Sequence, residues 1–205
     1  MRASKANIQN TILEAIGKAS KEAYEYCGVH IGKMPEYFLN VSIVRELTET
    51  HSNLGYRLEM PVKETLKMLG LESSQNPGAL RANGHFDIAI ISKKSKQLRH
   101  IIEVKRTLKA PQLLKEAIRL KALATENHLS KRLETGYIVA VRKLKESTRA
   151  QDAYTLIEKR IASLKKELGD SVNISGLMEV FTGAEFGLAD NEQLLAMVLC
   201  LEKAD

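Results

Sequence analysis

The stretch GHFDIAIISKKSKQLRHIIEVKR, residues 84–106, limits the fold more tightly than any other part of the chain. It holds two isoleucine-rich apolar runs joined by a basic linker of hairpin length. It therefore reads as a pair of antiparallel strands, His85–Ser92 and Leu98–Arg106. Each run carries one acid, Asp87 and Glu103, and Lys105 follows the second acid by two places. Charges inside apolar strands are costly unless they are paired or bind something. The fold must supply that partner.

Side chains alternate across a strand. Glu103 and Lys105 thus share one face, while Ile102 and Val104 share the other. By the same rule Asp87 lies on the face opposite Phe86, Ile88 and Ile90. A turn centred on Ser95 sets Asp87 directly across from Glu103, with Cβ atoms roughly 4.5–5.5 Å apart. Carboxylates that close repel, and a divalent cation removes the penalty. Hard oxygen ligands at this separation suit Mg²⁺ or Mn²⁺, which keep several waters. Lys105, one pleat further on the same face, can orient or deprotonate an attacking water and offset charge on a pentavalent phosphate. The chemistry this suggests is metal-assisted phosphodiester hydrolysis. The competing reading makes Glu103 and Lys105 a salt pair on a solvated sheet.

The rest of the chain places this hairpin in an α/β domain. Residues 4–26 have helical apolar spacing with Ser4 as N-cap, and Pro35 opens a second helix over 35–51. YRLEMPV is a short strand ended by Pro61; KETLKMLG adds a helical turn or extends that strand. ESSQNPGALRANG is the most loop-like stretch. Pro111 begins a helix running to about His128, and TGYIVAVRK (135–143) is a buried strand. A basic amphipathic helix spans 147–168, and two apolar segments, 172–181 and 193–202, complete the core. The hairpin is antiparallel, while strand–helix–strand from 98 to 143 predicts a parallel crossover, hence a mixed sheet.

The block FDIAIIS…HIIEVKR, in this order of elements, resembles the PD-(D/E)xK nuclease superfamily over about residues 35–143. The resemblance implies a restriction-endonuclease-like fold: a three-layer core with a central mixed β-sheet flanked by helices, here with an extra N-terminal helix. It divides the chain into a helical extension (1–30), the nuclease core (35–143) and a C-terminal helix with strands (144–205). Asp87 matches the family's second motif, although Phe86 stands where that motif has Pro. Glu103 and Lys105 match the third. The family's first motif, a Glu on the opening helix, falls on Glu46, with Glu49 and Glu59 as competitors. The resemblance further implies Mg²⁺, or Mn²⁺, held by Glu46, Asp87, Glu103 and the Val104 carbonyl, with Lys105 positioning water. Gln112, Lys115 and Arg119 form one stripe of the following helix, and with Lys109 they are the expected contacts to nucleic acid. Products would carry 5′-phosphate and 3′-hydroxyl ends.

Composition narrows the alternatives. Against 25 acids stand 31 Lys and Arg, a net charge of +6 that is compatible with a nucleic acid partner. Aromatic content of 5% with no Trp argues against an extended base-stacking platform. Cys27 and Cys200 are far apart, and the five histidines make no zinc spacing. The N-terminus lacks a secretory pattern, and the longest apolar run, Leu194–Leu201, is far short of a membrane span. A cytoplasmic protein acting on DNA is the resulting expectation, as a homodimer if its substrate is a palindromic duplex. The alternative is a catalytically inactive module on the same fold that binds nucleic acid or protein.

Overall fold

The computed structural model describes residues 4–71, 80, 83–125, 133–145 and 150–204. Its centre is a six-stranded mixed sheet of order β1-β2-β3-β4-β6-β5. The strands are β1 (Leu54–Pro61), β2 (His85–Ser92), β3 (Leu98–Lys105), β4 (Thr135–Lys145), β5 (Val172–Phe181) and β6 (Glu192–Lys203). Only β3 and β4 run parallel; every other neighbouring pair is antiparallel. The described α-helices are α1 (Lys5–Cys27), α2 (Glu36–Thr50), α3 (Val62–Leu69), α4 (Ala110–Thr125) and α5 (Ala150–Leu168). The end of the helix predicted to reach His128, and most of the predicted 72–84 loop, lie outside the described residues.

Helices cover both faces. On one side Ile88, Ile90, Ile102 and Val104 pack with Ile12 and Ile16 of α1 and with Ile43 and Leu47 of α2. On the other, Ala89, Ile101, Ile138 and Met197 pack with Leu113 and Leu120 of α4 and Ile157 and Leu164 of α5, where Leu66 and Leu69 of α3 join them. Burial on both faces explains why the central strands read as continuous apolar runs. The helix over 5–27 packs into the core: Ile8, Ile12 and Ile16 are buried, and Gln9 Nε2 donates to the Val198 carbonyl of β6 at 3.0 Å. Ser4 caps it, its Oγ accepting from Asn7 N–H. The segment KETLKMLG resolves as α3, with Gly70 in the left-handed region that its C-cap demands (φ 70°).

The hairpin keeps the expected register where it matters. Ile88 faces Ile102, Ala89 faces Ile101 and Ile90 faces His100, as a turn centred on Ser95 requires. A bulge at Arg99 then shifts the pairing so that Ile91 meets Leu98. At the other end the ladder stops one step short of Asp87 and Glu103. The alternation predicted for Phe86 also breaks there. Phe86 and Met60, which face each other, pack on the α4 side, whereas Ile88 and Leu58 pack on the α1–α2 side. Between them Glu59 has φ 49°, a left-handed backbone within a strand. Such a non-glycine conformation costs of order 1–3 kcal/mol and collects at functional sites. The strand pair changes face at the step where Asp87 is presented.

Candidate active site

Asp87, Glu103 and Lys105 meet at the C-terminal end of β3. Asp87 Oδ2 accepts the Val104 N–H at 2.7 Å, which replaces the ladder bond the backbones no longer make. Lys105 Nζ donates to Asp87 Oδ2 at 3.3 Å, to Glu103 Oε2 at 3.2 Å and to the Val104 carbonyl at 2.8 Å. These are three of the four oxygen donors that the family resemblance assigns to a cation; the fourth is Glu46. The ammonium thus serves as a stand-in ion: the oxygens already converge on one positive charge. Mg²⁺ needs shorter bonds, near 2.0–2.1 Å, and typically takes one or two carboxylates with waters completing its shell. Two carboxylates and a carbonyl fit that demand. Among the described residues no group of three or more His, Cys, Asp or Glu gathers to hold a metal by itself.

Glu103 is the most constrained of the three. Its side chain is 2% exposed, and Oε1 accepts from Arg119 Nη1 at 2.9 Å. The same Nη1 reaches Glu116 Oε2 at 2.9 Å, Arg119 Nη2 donates to the His85 carbonyl at 3.0 Å, and the guanidinium lies 4.4 Å from the Phe86 ring centre. Burial, then the neighbouring Asp87, pushes the Glu103 carboxyl up to about 8, against the opposing pull of Lys105 and Arg119. Burial alone would lower Lys105, but Glu103, Asp87, Glu116 and Glu36 outweigh it and hold the ammonium above its ordinary value. The site favours a cation and disfavours a bare second carboxylate.

Comparison with protein-family models, curated proteins and solved structures finds no match.

The expected residues divide as follows. Lys105, Lys109, Gln112 and Lys115 line one cleft of about 430 Å³, together with Arg106, Thr107, Glu36 and Glu116. Asp87 and Glu103 do not line it but bind Lys105, which does. Arg119 does not line the cleft: it is 3% exposed, and its Nη1 and Nη2 are engaged by Glu103, Glu116 and the His85 carbonyl, while its buried Nε has no hydrogen-bond partner among the described residues. It holds a carboxylate instead of meeting phosphate. His85 contributes its carbonyl to that clamp.

Glu46 is not brought to the cluster. It pairs with Lys18 of α1 at 2.7 Å, and Glu49 acts on the same Lys18. The α2 carboxylate at the site is Glu36, ten positions earlier and thus about 15 Å back along the α2 axis. Arg106 Nη1 donates to the Met34 carbonyl at 2.8 Å, which fixes the start of α2 beside the end of β3. Burial raises the Glu36 carboxyl; Lys105 and Arg106 pull it down, Asp87 and Glu59 push it up. Those influences put Glu36 in the electrostatic neighbourhood of Asp87 and Lys105, with Glu59 acting on Glu36 from β1. An acid in a helix's first turn is ordinary dipole chemistry, so the sequence marked Glu36 no more than any other. Glu116 was likewise missed, although its spacing from Gln112 and Arg119 puts it on their stripe.

Proposed function

We propose that this chain is a metal-dependent nuclease that hydrolyses phosphodiester bonds, with DNA as its substrate. The observation that carries the reading is the clasp of Lys105 Nζ by Asp87 Oδ2, Glu103 Oε2 and the Val104 carbonyl. It lies at the edge of a cleft whose walls hold Lys109, Lys115 and Gln112. Asp87, Glu103 and the Val104 carbonyl would hold Mg²⁺ or Mn²⁺, with Glu36 replacing Glu46 as the α2 carboxylate beside the site and Glu116 of α4 at 4.0 Å from Lys105 Nζ. The ion would supply Lewis-acid stabilisation of a phosphoryl oxygen. Lys105 orients the attacking water and offers positive charge to the equatorial oxygens. Gln112, Lys109 and Lys115 bind the flanking phosphates, and Arg119 holds Glu103 in line. Phosphodiesters match this site because their hydrolysis needs charge stabilisation and positioning, with no covalent step on the protein.

A second reading keeps the fold and the cleft but not the chemistry. The position of Glu46 against Lys18, which leaves the site without the carboxylate that the family's first motif supplies, favours a nucleic-acid-binding module. Supercoiled plasmid incubated with Mg²⁺ or Mn²⁺ separates the two. Nicking by the wild type that Asp87→Ala and Lys105→Ala both lose supports the nuclease. Equal nicking by all three proteins assigns the activity to a contaminant, and binding without nicking supports the module.

A further inference from the structure

A second cleft, of about 310 Å³, adjoins the first and shares Arg106 with it. Its lining includes His30, Gly32, Lys33, Arg142 and Lys143 over an apolar floor of Val141 and Leu194. The sheet explains the juxtaposition. β3 and β4 are parallel with Lys105 beside Ala140, so the chain leaving β3 at Arg106 runs next to Val141 and Arg142. Neighbouring strands are only about 4.8 Å apart. The short turn Ile31–Lys33, which precedes α2, brings His30 and Lys33 to the same edge.

The charges in this cleft have one sign. Lys33, Arg106, Arg142 and Lys143 line it and, among the described residues, no acid does; the nearby carboxylate, Glu192, is engaged by Lys143 at 2.5 Å. Arg106 spends one donor on the Met34 carbonyl and has others to offer. His30 lines the cleft with its imidazole. Its Nδ1 accepts the Gly32 N–H at 2.9 Å, which fixes the proton on Nε2, and that Nε2 is buried with no hydrogen-bond partner among the described residues. Lys33, Arg106 and Arg142 around an apolar floor, beside a Lys143 already paired with Glu192, call for an anion with several acceptor oxygens.

We propose that the cleft of His30, Lys33, Arg106 and Arg142 is a second phosphate subsite, which grips a neighbouring phosphodiester of the strand held at Lys105. The proposal rests on the nuclease reading for the identity of the strand, and it adds a direction: the backbone runs from the Lys105 cleft across Arg106 toward β4. Arg106 bridges the two clefts. A free phosphate or an acidic peptide shares part of the chemistry, but neither accounts for continuity with the Lys109–Lys115 cleft.

Binding of fluorescein-labelled single-stranded DNA, followed by anisotropy in EDTA across a salt series, tests this without cleavage. Lys33→Ala/Arg142→Ala is compared with Lys165→Ala/Lys166→Ala, which removes the same charge from exposed positions of α5. The cleft variant should bind about tenfold more weakly at low salt, with a log–log salt slope reduced by about 0.7 per lost contact, while the α5 variant stays near wild type. Matching behaviour of the two variants overturns the subsite, whatever the plasmid assay shows. So does equal displacement of the probe by inorganic phosphate, a mononucleotide or polyglutamate as by an unlabelled oligonucleotide. Binding that depends on Lys33 and Arg142 in a protein that never nicks plasmid keeps the subsite and removes the nuclease. A wild type that binds no DNA removes both.

Discussion

Replacing Arg119 with Met tests how the site is held together. Met keeps an apolar stem against Phe86 but deletes the guanidinium that reaches Glu103, Glu116 and the His85 carbonyl. Both carboxylates are nearly sealed, at 2% and 6% side-chain exposure. Removing one partner of a buried ion pair costs about 3–5 kcal/mol. Glu103 can escape part of that by holding a proton, since burial already pushes its carboxyl up to about 8 from an ordinary 4.5. The low end, about 3 kcal/mol, is therefore expected near neutral pH. The pH dependence carries the sign. A raised folded value means that the folded state holds a proton the unfolded state has released, so its contribution is complete below 4.5 and lost as pH rises through about 8. In wild type the loss ends near 8; without Arg119 the carboxyl rises further and the loss continues at about 1.4 kcal/mol per pH unit. Urea unfolding should thus show a deficit of about 3 kcal/mol at pH 7 and roughly 1 kcal/mol more at pH 9. In heat, each kcal/mol should lower Tm by about 2–4 °C in a chain of this size. A deficit below about 1 kcal/mol that does not grow with pH would refute the clamp.

Divalent-ion affinity, measured by calorimetry, should weaken as pH falls below about 8, approaching tenfold per unit, because an ion at Glu103 must displace its proton. A Kd independent of pH between 6 and 8, roughly the span where Glu103 titrates, would remove Glu103 from the ligand set. Lys105→Met should bind Mn²⁺ more tightly than wild type, since no ammonium competes for the same oxygens, yet lose plasmid nicking. Glu36→Gln should slow nicking while Glu46→Gln leaves it unchanged, and the reverse result would restore the family-based assignment. Gln112→Ala with Lys115→Ala should raise KM severalfold with kcat nearly intact, as expected of side chains that bind without reacting.

The hairpin was legible because two local rules suffice for it. Alternation and a turn centre place Asp87, Glu103 and Lys105 together without knowledge of any other element. The layered architecture was legible for a related reason: strands buried on both faces leave continuous apolar runs, and the helices leave amphipathic ones. What escaped depends on contacts distant in sequence. Nothing in VRELTE distinguishes Glu46 from Glu36; the difference lies in Arg106 tying Met34 to the end of β3 and in Lys18 drawing Glu46 away. Arg119 read as a phosphate contact because a long cationic side chain on a helix usually faces water. Its burial follows from the face switch at Asp87, which brings Phe86 under the guanidinium. The positive φ of Glu59 behind that switch has no sequence signature, since the residue is not glycine.

The anchoring of the carboxylates separates architecture from chemistry at this site. Asp87 is fixed by the Val104 N–H and Glu103 by Arg119, and neither anchor involves Lys105. Lys105 is held by the carboxylates it neutralises and by the Val104 carbonyl, and at 19% exposure it borders the cleft. Its removal therefore leaves two positioned carboxylates facing each other without their cation. Their repulsion, of like charges in a partly buried pocket, is relieved by a proton on Glu103 or by an added divalent ion. For Lys105→Met the first predicts stability that falls with rising pH in EDTA; the second predicts that Mn²⁺ restores stability more in this variant than in wild type. If Mn²⁺ raises Tm equally in both proteins, the clasp around Lys105 is only an ion pair, and the binding-module reading gains.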